Sequence, residues 1–315
     1  MHVLITGGFG FIGGRIAKRL NEAGHQVTLG SGSERYPPFW LPDARVEKID
    51  WLNSRALEKS CHGIDIVVQC AGVNAIDSIA NPVKAFEFNG LATTRLAWVA
   101  SRANVKCFIY LSTAHVYANP LLGVIDEETI PSNLHPYAAS HLMGETGLFS
   151  VCQTHGMQAI VLRLANAYGV PTNKDVNCWN LLVNELCKQA IKNGHLTLNT
   201  SGQQERNFLG LDQVCNAVEY IISNRNTLIS HDTFNIGSPT STSVLQMAKI
   251  IQERCSEVIG FYPPLEVNNA ELSRMGLSLD YKTNKIQEVG FMVQQLSKFS
   301  EIDAILKFVK LNFQD

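Results

Sequence analysis

The sequence predicts an α/β fold in which a doubly wound parallel sheet is followed by a smaller C-terminal part. Segments typical of strands and of helices alternate through the first half of the chain, which is the order that βαβ units produce. The first and fourth predicted strands are apolar at nearly every position, as strands covered on both faces are. With 315 residues, 45% of them hydrophobic and 17% charged, the chain is long enough for one large domain or two coupled ones.

The strands of the first half are short apolar runs, and the helices between them carry apolar residues three or four positions apart. After the first strand, Ile12, Ile16 and Leu20 recur at helical spacing until Asn21-Glu22-Ala23-Gly24 ends the helix. The predicted strands cover residues 3–6, 27–29, 46–49, 64–70, 107–111 and 159–164. The later predicted helices cover residues 54–61, about 83–103 and about 137–154.

Beyond Gly169 the alternation loosens. The patterns there predict a helix at about 179–193, a short strand at 196–198, a helix around 213–223 and a polar remainder punctuated by Gly and Pro. We expect the sheet domain to comprise residues 1–168 and 207–237, and the substrate-binding part to comprise 169–206 and 238–315. Because no repeat, low-complexity tract or linker separates them, we expect the two parts to pack as one body.

Composition excludes several classes of protein. The chain has 26 Lys and Arg against 28 Asp and Glu, a net charge of −2, so nucleic acid is not an expected partner. No apolar run approaches the roughly 18 residues of a membrane span, and the N-terminus lacks the basic start of a secretory signal. A cytoplasmic location is therefore expected. The eight cysteines form no CxxC motif or metal-spaced cluster, so we expect reduced core thiols and no metal.

A glycine-rich loop lies between the first strand and the first helix. Its glycines fit both Gly8-x-Gly10-x-x-Gly13 and Gly7-x-x-Gly10-x-x-Gly13. Without side chains the backbone can turn sharply and approach a pyrophosphate, whose charge meets the positive end of the helix. Glycines also simply make tight turns, but this position after a strand favours a dinucleotide-binding loop.

The end of the second predicted strand bears on the choice of coenzyme. In dinucleotide folds an acid near this point binds the adenosine ribose, but here the position falls at about Ser31, with Glu34 a looser candidate. Arg35 and the serines suit the 2′-phosphate of NADP, because a guanidinium matches phosphate geometry. The sequence therefore favours NADP over NAD, although the same residues also fit a solvated turn.

Further motifs follow in a fixed order. These are Asp50, Cys70-Ala71-Gly72, Asn89, Leu111-Ser112-Thr113, Pro136-Tyr137, Arg163-Leu164-Ala165-Asn166-Ala167-Tyr168-Gly169, Arg206-Asn207-Phe208 and Phe234-Asn235-Ile236-Gly237. Together with Thr6–Gly13 they resemble the extended short-chain dehydrogenase/reductase family, in its NAD-dependent nucleotide-sugar epimerase/dehydratase group. The likeness spans nearly the whole chain and implies that residues 1–168 and 207–237 are a dinucleotide-binding Rossmann domain.

The resemblance also implies roles for individual residues. It places catalysis on Thr113, which hydrogen-bonds the reacting oxygen, on Tyr137, the general acid/base, and on His141, which takes the place of a family lysine in orienting the ribose. Asn166 and Arg206 become substrate contacts, the latter to the diphosphate of a nucleotide sugar, with the alternative that Arg206 only anchors its own domain. Ser31 and Arg35, inferred above from the residues after the second strand, complete the set of expected cofactor contacts. These are Gly7, Gly10, Phe11, Ile12, Gly13, Ser31, Arg35, Asp50, Trp51, Cys70, Ala71, Gly72, Asn89, Tyr137 and His141.

His141 stands where the family has the lysine of its Tyr-x-x-x-Lys motif. That lysine holds the nicotinamide ribose, and its charge lowers the tyrosine pKa. Histidine is mostly neutral at pH 7, so proton abstraction by Tyr137 is expected to be impaired. Three alternatives follow: catalysis persists through an imidazolium or a histidine relay, the chemistry has left hydride transfer, or the chain only binds a cofactor.

Two further departures narrow the substrate class. Ala114-His115 replaces the Asp-Glu of the family's 4,6-dehydratases, which disfavours that subclass. If His115 lies on the same strand as Thr113, the two side chains share a face of that strand. His115 could then transfer a proton in an isomerisation or elimination, or it could be a buried histidine whose hydrogen bonds are satisfied. The expected C-terminal Arg-x-Gly-Asp is missing, and Arg274, the nearest candidate, is out of register. A nucleotide sugar is thus one candidate substrate, beside other polar carbonyl or alcohol compounds.

These observations favour an NAD(P)-dependent oxidoreductase or epimerase. A non-redox cofactor-binding relative and an isomerisation or elimination catalyst that uses His115 remain the alternatives. The family likeness also implies a homodimer, formed by the helices near 83–103 and 137–154.

Overall fold

A computed structural model of the chain describes residues 1–268, 278–292 and 299–313. Seven parallel strands form its central sheet in the spatial order β7-β6-β5-β4-β1-β2-β3. In chain order these are β1 (His2–Thr6), β2 (Gln26–Ser31), β3 (Arg45–Lys48), β4 (Ile66–Gln69), β5 (Cys107–Thr113), β6 (Gln158–Leu164) and β7 (Asp232–Ile236). The order reverses between β1 and β4, which is where doubly wound sheets bind their ligands. The predicted fold class is therefore confirmed.

Helices lie on the two faces of this sheet and beside it. They are α1 (Phe11–Glu22), α2 (Ser54–Ser60), α3 (Ala75–Ala80), α4 (Pro82–Ala85), α5 (Thr93–Arg102), α6 (Pro136–His155), α7 (Leu182–Lys192), α8 (Leu211–Asn224), α9 (Val244–Ile259), α10 (Asn284–Glu288) and α11 (Ser300–Phe313). Some of them cover the two faces of the sheet, and α7, α9 and α11 pack together beside it. A π-helical segment, Phe86–Ala92, joins α4 to α5, and 3-10 turns occupy Ala114–Val116 and Arg225–Thr227.

Strand alternation divides the core into two layers. Val3 and Ile5 of β1 belong to the cluster that contains α1 and α8, whereas Leu4 belongs to the cluster of α2, α5 and α6. In α1 the buried positions include Ile16 and Leu20, the apolar spacing seen in the sequence. A third cluster is formed mainly by α7, α9 and α11. All eight cysteines are free, and all except the half-buried Cys70 are buried, as predicted.

Four short strand pairs lie outside the central sheet, and one of them, between residues 123–125 and 279–281, links the two parts of the chain. Parallel pairs join Asn166–Tyr168 to Phe208–Gly210, Gly123–Ile125 to Leu279–Tyr281 and Leu196–Leu198 to Leu265–Val267, and an antiparallel pair joins Glu205–Arg206 to Thr242–Ser243. An ion pair fixes α1 to α11, since Arg15 binds the carboxylate of Glu301. Within the described ranges, no helix is long and apolar enough to cross a membrane, and no cluster of His, Cys, Asp and Glu has the form of a metal site.

Three predictions about the elements are wrong. His115 does not lie on a strand, because β5 ends at Thr113 and the chain then enters a 3-10 turn. The helix predicted at 83–103 is interrupted by the π-helical segment. The remainder described as polar contains α9 and α11, whose buried residues recur at helical spacing. Arg274 lies outside the described residues.

Candidate active site

The glycine loop has the geometry of a phosphate cradle. Gly7 has a φ of +63°, in the left-handed region, and its carbonyl accepts a hydrogen bond from the Gly10 N–H at 2.8 Å. A Cβ at Gly13 would lie 2.4 Å from that carbonyl oxygen, so only glycine fits there. Gly10 caps α1 without a side-chain hydrogen bond, so the first N–H groups of the helix are free for an anion. These features fit a dinucleotide pyrophosphate.

A cleft of about 680 Å³ opens beside this loop. Its walls are the loop, the end of β2, residues 35–40 and residues 173–177. Within it the Arg35 guanidinium lies over the Phe9 ring, 4.9 Å from the ring centre, and Ser31 is buried at the end of β2. Glu34 instead contacts Lys48, whose ammonium lies 3.3 Å from its carboxylate. The cleft thus joins the glycine loop to a cationic group at the place where dinucleotide folds commonly have a ribose-binding acid.

Of the remaining predicted cofactor residues, some border this cleft and some do not. Phe11 lines it, and Ile12 lies beside Phe11 in the first turn of α1, packed on the core. Trp51 Nε1 lies 4.0 Å from the position of a Cβ at Gly32, at the cleft's edge. Asp50 is exposed, and its carboxylate accepts a hydrogen bond from the Leu52 N–H at 3.2 Å. The structure therefore does not place Asp50 against the cleft.

The loop after β4 is held by side chains from three elements. Thr6 Oγ1 accepts hydrogen bonds from the N–H groups of Cys70 and Ala71 at 3.2 and 3.3 Å. Asn89, fully buried in the π-helical segment, accepts from the Val73 N–H at 2.7 Å and donates to Ser140 Oγ at 3.0 Å. Asn89 therefore ties this loop, which includes Gly72, to helix α6.

Thr113, Tyr137 and His141 meet at the carboxyl end of the sheet. Thr113 is the last residue of β5, and Tyr137 lies in the first turn of α6, where its N–H donates to His135 Nδ1 at 3.2 Å. His141 follows one turn later, with its ring centre 4.7 Å from that of Tyr137. The Thr113 hydroxyl hydrogen-bonds Tyr137. The helical spacing therefore brings Tyr137 and His141 together, and the end of β5 places Thr113 beside Tyr137.

Burial sets the charge state of this group. Desolvation lowers the pKa of His141 to about 4, so the imidazole is neutral at pH 7. Desolvation also raises the pKa of Tyr137, which outweighs the opposite effect of the Thr113 hydrogen bond. Tyr137 is thus a neutral phenol near pH 7, suited first to donate a proton. The expectation that a histidine fails to supply the lysine charge agrees with these pKa directions.

Two buried residues in contact with the site escaped the sequence argument. The Tyr110 hydroxyl lies 2.8 Å from His141 Nδ1. Glu145, one turn beyond His141 on α6, forms a buried ion pair with Arg163 in which Nη2 approaches Oε2 to 2.6 Å, and it accepts a hydrogen bond from Ser112 Oγ at 2.5 Å. The i, i+4 spacing of His141 and Glu145 on one helix face was the available signal for the second residue.

The predicted substrate residues lie on the C-terminal side of this group. The N–H of His115 donates to Thr113 Oγ1 at 3.2 Å, and burial and the nearby Arg206 lower the pKa of the His115 ring. Arg206 is half-buried, desolvation lowers its pKa, and no acidic partner contacts it in the described ranges. Asn166 donates to the Asn207 carbonyl at 3.2 Å, so its amide already serves the short strand pair.

Comparison with known families and proteins bears on this geometry. A profile described as the NAD dependent epimerase/dehydratase family matches residues 3–237. UDP-glucuronic acid decarboxylase 1 of Xenopus tropicalis is 25% identical over 262 residues, which are 80% of this chain and 59% of that protein. An uncharacterized UDP-glucose epimerase of Bacillus subtilis is 25% identical over 266 residues, 80% of this chain and 82% of that protein. The chain therefore spans less than two thirds of the first of these two relatives.

A solved structure shares the architecture. MoeE5 in complex with UDP-glucose and NAD superposes with a TM-score of 0.81 and 22% identity over 100% of both chains. At this identity the similarity supports the fold.

Proposed function

The chain belongs to the NAD-dependent epimerase/dehydratase family, a family of enzymes, and from this premise we propose that it is an NAD(P)-dependent epimerase or oxidoreductase of a nucleotide sugar. The observation that carries the proposal is the convergence of Thr113, Tyr137 and His141 beside the Gly72 loop. We assign residues 1–168 and 207–237 to cofactor binding, and residues 169–206 and 238–315 to the substrate.

In this proposal each residue has one task. A bound nicotinamide coenzyme supplies the hydride acceptor and donor for a sugar carbinol carbon. Tyr137 transfers the proton of the reacting oxygen, and Thr113 hydrogen-bonds the same oxygen. His141 orients the coenzyme ribose through its ring N–H, without adding charge. Asn89 and Gly72 shape the wall against which the coenzyme lies.

Arg206 is proposed to bind the diphosphate of the substrate. A half-buried guanidinium without an acidic partner in the described ranges is costly unless an anion reaches it, and a diphosphate supplies one with matching geometry. Arg206 lies close enough to His115 for its charge to lower the pKa of the His115 ring, so His115 borders the same space. This geometry gives less support to a role of His115 as the carrier of the catalytic proton, because the backbone leaves strand β5 after Thr113 and turns away.

The coenzyme proposed is NADP, with NAD the alternative. Arg35 and Ser31 lie at the end of β2, where the adenosine ribose would be, and Glu34 is turned to Lys48. A 2′-phosphate would find a guanidinium and a hydroxyl there. Calorimetry with NADPH and NADH tests this, and Arg35→Ala should weaken NADPH binding at least tenfold while leaving NADH within about twofold. Equal losses for both coenzymes would contradict the assignment.

We also propose a homodimer formed through the helical segments at residues 82–102 and 136–155. Exposed apolar side chains, among them Leu91, Trp98 and Met143, lie on these segments. Light scattering after gel filtration measures the mass, and a concentration-independent monomer of 34.8 kDa would contradict the dimer.

The enzymatic proposal itself is tested by absorbance of the reduced nicotinamide with a panel of UDP- and dTDP-sugars. We expect turnover or a transient absorbance change in the wild type and a loss of at least 100-fold in Tyr137→Phe. His115→Ala should retain most of the activity. Coenzyme binding without any absorbance change or product would favour the non-redox alternative that the neutral His141 suggests.

A further inference from the structure

Tyr110 of β5 makes a buried contact with His141 that the proposed function has not used. The Tyr110 hydroxyl lies 2.8 Å from His141 Nδ1 and 3.3 Å from the Asn89 carbonyl oxygen. The two rings are nearly parallel, with centres 5.7 Å apart and an interplanar angle of 22°. Gly144 admits this arrangement, because a Cβ there would lie 2.9 Å from the Tyr110 oxygen.

The hydroxyl has one hydrogen to donate, and His141 Nδ1, the Asn89 carbonyl and the Thr93 hydroxyl all lie within its reach. The contact with Nδ1 is half an ångström shorter than that with the Asn89 carbonyl, which favours Nδ1 as the acceptor over the opposite arrangement, in which Nδ1–H donates to the Tyr110 oxygen and the hydroxyl donates to Asn89. Burial raises the pKa of Tyr110 well above its ordinary value, so the phenol keeps its hydrogen near neutral pH. A neutral imidazole that accepts at Nδ1 must carry its proton at Nε2.

Nε2 faces the loop after β4. It lies 3.9 Å from the position of a Cβ at Gly72 and has no hydrogen-bond partner in the described ranges. A proton on Nε2 is therefore aimed at the wall beside which the dinucleotide would lie. An ammonium at this place would offer hydrogens in any direction, whereas an imidazole offers one hydrogen, and only in the correct tautomer.

We propose that Tyr110 is a positioning residue that holds His141 in the Nε2–H tautomer and so makes it a hydrogen-bond donor toward a ribose hydroxyl of the coenzyme. The tautomer is a property of the chain alone. The ribose contact rests on the proposed function.

Nitrogen NMR of the full-length protein labelled with ¹⁵N-histidine tests the tautomer without coenzyme, and His141→Gln assigns the signals. We expect the wild type to show a protonated Nε2 and an unprotonated Nδ1 at pH 7. Tyr110→Phe should shift the ring to a mixture or to the Nδ1–H form, because Nδ1 loses the hydroxyl that donates to it. Tyr281→Phe is the matched control, because it also removes a buried hydroxyl, one that binds the Arg163 carbonyl at 2.8 Å and not a histidine.

A titration with NADPH or NADH then tests the donor role. We expect the His141 Nε2 signal to move on binding, and Tyr110→Phe to raise the Kd roughly tenfold while Tyr281→Phe leaves it within about twofold. A wild-type Nδ1–H tautomer, or an unchanged tautomer in Tyr110→Phe, overturns the positioning role. Binding that leaves Nε2 unmoved overturns the donor role. Absence of any binding counts against the proposed function, while the tautomer measured beforehand still decides the role of Tyr110.

Discussion

Replacing His141 by lysine tests whether the missing charge sets the ionisation of Tyr137. In the wild type His141 is neutral, since burial lowers its pKa to about 4, and burial raises the pKa of Tyr137 from its ordinary value of 10. The hydroxyl of Tyr110 and the carbonyl of Asn89 offer acceptors for an ammonium at this position. His141→Lys is therefore expected to place a cation beside the phenol.

The size of the effect follows from the separation of the two side chains. The ring centres of Tyr137 and His141 are 4.7 Å apart, which sets the scale for the distance between the charge and the phenolate oxygen. At an effective dielectric constant of about 20, a unit charge about 5 Å away stabilises the phenolate by roughly 3 kcal/mol, and at about 40 by half as much. Since about 1.4 kcal/mol corresponds to one pH unit, ionisation of Tyr137 should move down by roughly one to two pH units.

The assay is ¹³C NMR of protein labelled at tyrosine Cζ, with the Tyr137 signal assigned from Tyr137→Phe. The wild-type signal should stay that of the phenol up to pH 10, and in His141→Lys the signal should titrate about one to two pH units lower than in the wild type. His141→Gln is the control, because its amide can hydrogen-bond but carries no charge, and its Tyr137 should behave as in the wild type. Indistinguishable titrations in the Lys and Gln variants would refute the electrostatic reasoning.

Three further outcomes follow from the packing. Gly13→Ala should abolish dinucleotide binding in calorimetry, because its Cβ would lie 2.4 Å from the Gly7 carbonyl oxygen; retained affinity would show that the loop adapts. Glu145→Gln should lower the free energy of unfolding in urea by about 3–5 kcal/mol, because it leaves the buried Arg163 charge without its carboxylate. A loss below about 1 kcal/mol would contradict an ion pair that is shielded from water. Asn53→Ala should cost about 1 kcal/mol in the same titration, since its side chain caps α2 by accepting from two N–H groups, and Asn53→Asp, which keeps an acceptor, should cost less.

The first half of the fold was predictable because each element has a local cause. The strands are apolar runs, and α1 shows its buried stripe at Ile16 and Leu20 directly in the sequence. The same signal existed in α9, where Met247, Ala248 and Ile251 recur at helical spacing, but the polar residues between them led to a wrong prediction. The π-helical segment has no local signal. It is accompanied by hydrogen bonds that Asn89 makes to Val73 and Ser140, far away in sequence.

The site divides in the same way. The spacing of Tyr137 and His141 on one helix, and of the glycines after β1, could be read from adjacent residues and from a family resemblance. The position of His115 could not be predicted in this way, because β5 ends at Thr113, two residues before His115. Tyr110 and His141 lie 31 positions apart, and Glu145 and Arg163 lie 18 apart, so only the packing of β5, α6 and β6 reveals these pairs.

Together these contacts define a site that handles protons with little fixed charge of its own. The Arg163 guanidinium is neutralised by Glu145, and His141 is uncharged and oriented by the Tyr110 hydroxyl. Tyr137 is therefore a neutral phenol near pH 7 in the free protein, and under the proposed function this state suits the return of a proton to the substrate oxygen better than its removal. Removal of a proton by Tyr137 then requires a positive charge that the bound ligands bring to the site. The ionisation of Tyr137, and with it the direction of proton transfer, should consequently depend on whether the bound coenzyme is oxidised or reduced.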